Sequence, residues 1–277
     1  MFLFRKPLLV VAVVLCAASL ASAETIYDDA VVYYPFEGTG ATVSDASGTT
    51  AINLAINGTY SREAGMVGNA LTLDSGSYVT SGVDVNALDL DRDTPFTIAG
   101  WIKVDAESSS LAVASKMQST SPYRGWWLFR STHGTLDFVL RSENNNDGRL
   151  WVRCGEYDVD NIGQDEWVHV AMTLDYDSGD ATYGVRFYLD GQPVAAETYN
   201  TTGMTTWMTT DNTVPFNIAG RNDGSQGYGS VDELAIWNRA LSSGEIQSLY
   251  AAAVPEPSTV ILVIGGLFSL VVIRRWR

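Results

Sequence analysis

Cysteine is almost absent from this chain: Cys16 and Cys154 are the whole complement among 277 residues. Cys16 lies in an N-terminal apolar stretch, so the rest of the chain holds one cysteine and can close no intramolecular disulfide. Stability must come from a packed core, in which Cys154 is a small apolar filler. Histidine is nearly as scarce. His133 and His169 lack the spacing to Ser, Cys or each other that nucleophilic or metal chemistry requires. Positive charge is the third shortage: 17 basic side chains face 32 acidic ones, a formal net charge of −15. That balance argues against nucleic acid and anionic lipid as partners, since the chain as a whole repels both. No apolar run reaches the roughly 20 residues of a comfortable transmembrane helix.

The apolar runs that do exist sit at the two ends. Arg5 and Lys6 precede the apolar residues 8–15, and Ala21-Ser22-Ala23 follows as a small-residue cleavage site, so residues 1–23 read as a secretory signal peptide. Cys16 follows Leu15, where a lipidated cysteine would follow a small residue. At the other end come Pro255-Glu256-Pro257, the apolar run 260–273, and Arg274, Arg275, Trp276 and Arg277. A run of 14 residues makes roughly 21 Å of helix, short of the roughly 30 Å hydrocarbon core. Snorkelling arginines and local thinning let it span, with the arginines on the cytoplasmic side. Residues 254–277 resemble the PEP-CTERM sorting signal of Gram-negative bacteria in all three parts and in their order. The resemblance implies an exosortase partner, a membrane protease that cuts near Pro-Glu-Pro. The inner-membrane stage is then transient, and the protein ends at the cell surface or outside the cell. The alternative is a plain anchor, in which Pro255 and Pro257 stop the preceding helix.

Residues 24–253 form the folded part, within the range of one all-β sandwich. They keep 12 of the basic and 31 of the acidic residues, so their charge is −19. These carboxylates are either a solvated surface or, where clustered, ligands for Ca²⁺. Segments rich in Val, Ile, Thr and aromatics recur at 30–36, 70–73, 96–104, 111–116, 125–130, 135–141, 150–153, 167–174, 185–189, 194–199, 216–219 and 231–237, with turn-forming residues between them. That rhythm predicts an all-β, two-sheet antiparallel jelly-roll sandwich. Asp190-Gly191 predicts a tight hairpin between 185–189 and 194–199. One helix is expected over 241–252, where Ser242 and Glu245 have capping-box spacing. The polar stretches 41–60 and 198–212 read as loops.

In family order come Tyr33-Tyr34-Pro35-Phe36-Glu37-Gly38, Ala70-Leu71-Thr72-Leu73-Asp74, Phe96-Thr97-Ile98-Ala99-Gly100-Trp101-Ile102, Trp167-Val168-His169-Val170-Ala171, Phe187-Tyr188-Leu189-Asp190-Gly191 and Val231-Asp232-Glu233-Leu234-Ala235-Ile236-Trp237. Together they resemble the LamG-like jelly roll of the concanavalin A-like lectin and glucanase group, over nearly all of residues 24–253. The resemblance implies a module that binds carbohydrate or a matrix component, with a non-lectin structural module or a divergent glycoside hydrolase as alternatives. Alternation supports strands covered on both sides. Phe96, Ile98, Gly100 and Ile102 share one face of their strand and Thr97, Ala99 and Trp101 the other, and His169 is expected to be structural.

Glycan-cleaving members of the group need two carboxylates sharing a strand face. No Glu-x-Asp-x-Glu pattern is present; Asp232 and Glu233 are adjacent and expected on opposite faces, and Asp175, Asp177 and Asp180 belong to a turn. The expectation is therefore no enzyme and no catalytic residue. By resemblance, Asp232 is the candidate side-chain ligand of a structural Ca²⁺, with carbonyls near Phe36 or Gly68, or else it caps turn N–H groups. For glycan contact, one member of the Trp126-Trp127 pair must face away from the core. Tyr123, Arg124, Trp151, Trp207 and Tyr228 are further candidates.

Overall fold

The computed structural model describes residues 26–254, apart from 49–50, 105–109, 143–147, 156–160, 204–206, 208, 223 and 226. The segments expected to be the signal peptide (1–23) and the apolar tail (260–273), with Pro255, Glu256, Pro257, Arg274, Arg275 and Arg277, lie outside the described residues. Among those described, no helix is long and apolar enough to cross a membrane.

Two antiparallel sheets stack on each other. The eight-stranded sheet runs Gln192–Val194, Val185–Leu189, Val168–Leu174, Phe96–Lys103, Gly229–Trp237, Asn69–Leu73 and Tyr60–Ala64, with Val32–Tyr34 also paired to Gly229–Trp237. The nine-stranded sheet runs Ala196–Thr202, Arg149–Cys154, Leu136–Arg141, Gly125–Arg130, Leu111–Met117, Pro215–Ile218, Tyr78–Asp84, Leu54–Asn57 and Thr42–Val43. Between them lies the main core, which takes Phe96, Ile98 and Ile102 from one sheet and Trp126, Leu128, Phe138 and Val152 from the other. Cys154 is buried and part of this core.

The eight-stranded sheet is covered a second time. A cross-strand row of small residues, Ala235 opposite Ala99 and Ala99 opposite Ala171, leaves a shallow strip on its outer face. The helix Ser243–Ala253 fills that strip with Ile246 and Leu249, which pack with Trp237, Tyr188 and Leu241. Trp101 stacks on Tyr250 of the same helix, 5.6 Å between ring centres. The helix begins at the expected capping box: Ser242 Oγ accepts from Glu245 N, and the Glu245 carboxylate accepts from Ser242 N.

Asp190 and Gly191 have φ of 48° and 73°, the two positive values that a type I′ turn demands. The strand expected over 194–199 is in fact two. Gln192–Val194 completes the hairpin, and after Ala195 the chain crosses to the other sheet, where Ala196–Thr202 pairs with Arg149–Cys154. The stretch 41–60, expected as a loop, contributes the short strands Thr42–Val43 and Leu54–Asn57. Thr198–Thr202, the start of the other expected loop, is also strand. Thr42–Val43 and Ala196–Thr202 form the two edges of the nine-stranded sheet, and polar edge strands carry little periodic signal.

Candidate functional site

Among the described residues, no helix lies over the outer face of the nine-stranded sheet. Alternation turns Trp126, Leu128, Phe138, Leu140, Leu150 and Val152 inward, and therefore turns Trp127, Phe129, Val139, Arg141, Arg149 and Trp151 outward. Register sets these outward residues side by side: Val139 lies opposite Trp127 on one neighbour and Trp151 on the other. Trp127 stacks on Phe129 at 3.9 Å, and Phe129 meets Trp151 edge-on at 6.3 Å. Trp151 in turn lies 4.8 Å from Tyr199, which is 53% exposed.

A hollow of about 160 Å³ opens on this face, walled by Trp127, Trp151, Tyr123, Val139 and Met117. Arg141, Arg149 and Arg221 complete its described wall. Arg221 lies over the Trp127 ring at 5.3 Å and Arg141 over the Tyr123 ring at 5.1 Å. The floor is held rigidly. Asp137, fully buried, accepts from Trp151 Nε1 at 2.6 Å and pairs with Arg153 at 2.9 Å, and Thr135 Oγ1 also donates to it. This network sets the rotamer of Trp151 and anchors it to two neighbouring residues of the sheet.

Three of the sequence candidates, Tyr123, Trp127 and Trp151, therefore meet in one place. Trp126 does not join them: it is in the core, 1% exposed, with Nε1 donating to Leu88 O. Trp207 donates to Asp91 Oδ1, lies 4.9 Å from the Arg92 guanidinium and packs against the core from another side. Half-buried Tyr228 donates its backbone N–H to Ser110 O and is not part of the described wall. Arg124 also stays off that wall; its carbonyl accepts from Gln118 N and Asn212 Nδ2. Arg141, Arg149, Arg221, Met117, Val139 and Tyr199 were not singled out from sequence. The parity of Trp127 carried over to its neighbouring strands would have found Val139, Arg141 and Arg149.

A second cluster lies on the outer face of the eight-stranded sheet. The register of Gly229–Trp237 slips by one residue between Asp232 and Ala235, and Glu233 has φ of 51°. Such a bulge breaks the alternation. Asp232 and Glu233, expected on opposite faces, both turn outward, while Val231 and Leu234 enter the core. Asp232 Oδ2 accepts from Met66 N and Val67 N at 2.8 and 3.1 Å, and Oδ1 accepts from Glu233 N. Asp232 thus caps N–H groups of the turn at Met66 and Val67. Glu233 accepts from Tyr33 OH at 2.5 Å, and its Oε1 is buried without a partner. Burial, opposed by the backbone N–H groups of Val67 and Met66 and supported by Glu37, lifts the Asp232 pKa to about 7; burial and then Asp232 and Glu37, against the Tyr33 and Tyr27 hydroxyls, lift Glu233 to about 7. No Lys or Arg among the described residues pairs with either carboxylate.

The donor set was tested for a cation. No three His, Cys, Asp or Glu side chains among the described residues are placed to share one ion. Phe36 O already accepts from the Arg62 guanidinium at 2.7 Å, and Gly68 O from Gly65 N. Asp232 and Glu233 nevertheless make an anionic pocket with no cationic side chain paired to it among the described residues, closed by Gly65, where a Cβ would come within 2.3 Å of Asp232 Oδ2. Carboxylate oxygen is the donor type that Ca²⁺ takes, but these two side chains supply only part of the roughly six to eight ligands it needs.

His169 has no such role. It is 2% exposed, its ring centre lies 5.2 Å from Trp101, and burial lowers its pKa to about 3.

Comparison with solved structures places the same fold in the binding domain of Paraclostridial Mosquitocidal Protein 1, at 18% identity and a TM-score of 0.58 over 81% of this chain and 52% of that one. The binding domain of Botulinum neurotoxin DC, solved in complex with rat synaptotagmin II, gives 15% identity and 0.56 over 82% and 52%. The serotype D binding domain gives 15% and 0.55 over 83% and 52%. The chain thus spans about half the length of these domains, and at such identities the likeness is one of fold. No curated protein sequence matches the chain. A laminin G-type family model, described as the Concanavalin A-like lectin/glucanases superfamily, matches residues 73–247, more than half of the chain. The chain belongs to that superfamily.

Proposed function

We propose that this is an exported surface or matrix protein whose sandwich binds carbohydrate, without catalysis, at the outer face of the nine-stranded sheet. The observation that carries the reading is the aromatic hollow in which Trp127, Trp151 and Tyr123 converge on the outer face of the nine-stranded sheet. Indole and phenol rings offer the flat apolar surface that a sugar ring stacks on, with polar groups at the rim for its hydroxyls. At about 160 Å³ the hollow is small beside the roughly 300–1,000 Å³ of a pocket that engulfs its ligand. It would seat one residue of a longer chain.

The test is a glycan array, with and without EDTA, read for the wild type, Trp127→Ala and Trp151→Ala. Binding should appear in the wild type and drop roughly tenfold or more in each variant. Silence across the array would sink the lectin reading and leave the alternative, a module that contacts matrix proteins. A structural neighbour was solved in complex with synaptotagmin II, an example of contact of that second kind. Release of reducing ends from the same glycans is expected to be nil.

Export follows from the two ends of the sequence. The mature protein should start at Glu24, and an exosortase should remove the residues after the Pro255-Glu256-Pro257 motif. Intact-mass measurement on the exported protein checks both, and a product that still carries Arg277 contradicts the sorting reading. Calcium, if held, would be held by Asp232 and Glu233 Oε1 with main-chain oxygens. It would neutralise a buried anionic pair and so act on stability. Melting should rise with Ca²⁺ and fall with chelator, and Asp232→Ala should abolish the difference; a wild type indifferent to both removes the metal.

A further inference from the structure

The hollow on the nine-stranded sheet is basic although the chain is strongly acidic. Formal net charge is −15, yet Arg141, Arg149 and Arg221 all stand in its wall with no Asp or Glu among the described residues there, and the Asp137 carboxylate beneath Trp151 is taken up by Arg153. Arg141 and Arg149 are direct cross-strand partners. Like charges placed so destabilise an antiparallel pair. Neither forms an ion pair with a described residue. Burial, and after it the Arg149 charge, lowers the pKa of Arg141. The unmet hydrogen-bonding capacity has one sign too. Arg149 Nε and Trp127 Nε1 are buried donors without acceptors. A neutral sugar would leave the two guanidinium groups uncompensated, whereas an anionic substituent would accept from both.

We propose that the hollow takes an acidic saccharide, whose carboxylate, sulfate or phosphate group lies between Arg141 and Arg149 while its ring rests on Trp127 and Trp151. The proposal rests on the carbohydrate-binding reading above and narrows it to a charge class. It also reverses, at this one face, the repulsion of polyanions that the net charge implies, because the Debye length of about 8 Å at physiological salt confines that repulsion to its neighbourhood.

Paired polymers separate the two claims. Affinity is measured for polygalacturonate against its methyl ester, for dextran sulfate against dextran, and for poly-glutamate, at low and high salt. The acidic polysaccharides should bind about tenfold or more tightly than their neutral counterparts, and poly-glutamate should not match them. Arg141→Gln and Arg149→Gln should each remove about tenfold from acidic-glycan affinity while leaving the melting temperature unchanged or higher, since each relieves the like-charge pair. A merely structural arginine would lower the melting temperature instead. Equal binding of acidic and neutral partners overturns the charge assignment and leaves the carbohydrate reading standing. Binding of poly-glutamate alone, or of nothing, overturns both. Should either Gln variant fail to fold, the wild type decides: polygalacturonate affinity must fall with salt, and a flat dependence counts against the anion site.

Discussion

Single residues carry several sharp consequences. His169 is neutral in the fold, with its pKa lowered to about 3 by burial, but titrates near 6.5 when unfolded. Below about 6.5 the unfolded chain takes up a proton that the folded one refuses, so the stability owed to His169 is present at neutral pH and lost as pH falls toward 3. In denaturant melts, the stability difference between His169→Phe and wild type should shift in favour of the variant between pH 7 and pH 5. A constant difference would mean that the imidazole is solvated. Asp137 matters for a different reason. It compensates Arg153 and orients Trp151 at once, so Asp137→Ala leaves a buried guanidinium without that partner and should cost about 3–5 kcal/mol. Glycan affinity should fall with it, which calorimetry on the folded fraction would read. Trp126 and Trp127 show what sequence allowed at this scale: alternation required one in and one out, but only packing against Phe216 and the bond to Leu88 O show that Trp126 is the inner one.

At the scale of the element, the helix Ser243–Ala253 was legible down to its cap, because a capping box is a local signal made within four residues. Ser242→Ala should cost about 1 kcal/mol. Leu249→Ala, which opens a void over the alanine row, should cost about 2–5 kcal/mol; chemical denaturation of the two variants should keep that order. The interior strands were legible for a similar reason, since Phe96–Lys103 and Val168–Leu174 are long and apolar on both faces. Short strands such as Thr42–Val43 were not, because their pairing comes from neighbours distant in sequence. The switch of sheet after Ala195 was hidden too, since the apolar–polar pattern continues across it. So was the bulge at Glu233, whose positive φ is fixed by strands on both sides, Val32–Tyr34 and Phe96–Lys103, rather than by a glycine.

For the whole molecule, the bulge has a thermodynamic effect. Asp232 and Glu233 have folded pKa values near 7, raised from ordinary carboxylate values, so the folded state holds protons that the unfolded state has released. The sign is negative: stability falls as pH rises from about 4 through about 7, and the loss is complete above that. In chelator, Asp232→Asn should flatten this decline, and under the calcium reading added Ca²⁺ should restore wild-type stability most at pH 8. A wild type whose stability in chelator does not change from pH 5 to pH 8, once the His169 contribution is subtracted, would contradict the burial of the pair.

The sequence by itself determined the all-β sandwich, its family and the helix Ser243–Ala253, because periodicity, turn chemistry and helix caps are written between near neighbours. It also bounded the chemistry, since a chain so poor in cysteine, histidine and positive charge has few sites to offer. Tertiary structure decided where that chemistry gathers. Arg141 faces Arg149, Trp127 and Trp151 flank Val139, and Asp232 joins Glu233 on one face because of strand register and a one-residue bulge. Register depends on the summed burial of whole strands, and a shift of one residue reverses every side chain, so no local stretch of sequence could fix these meetings.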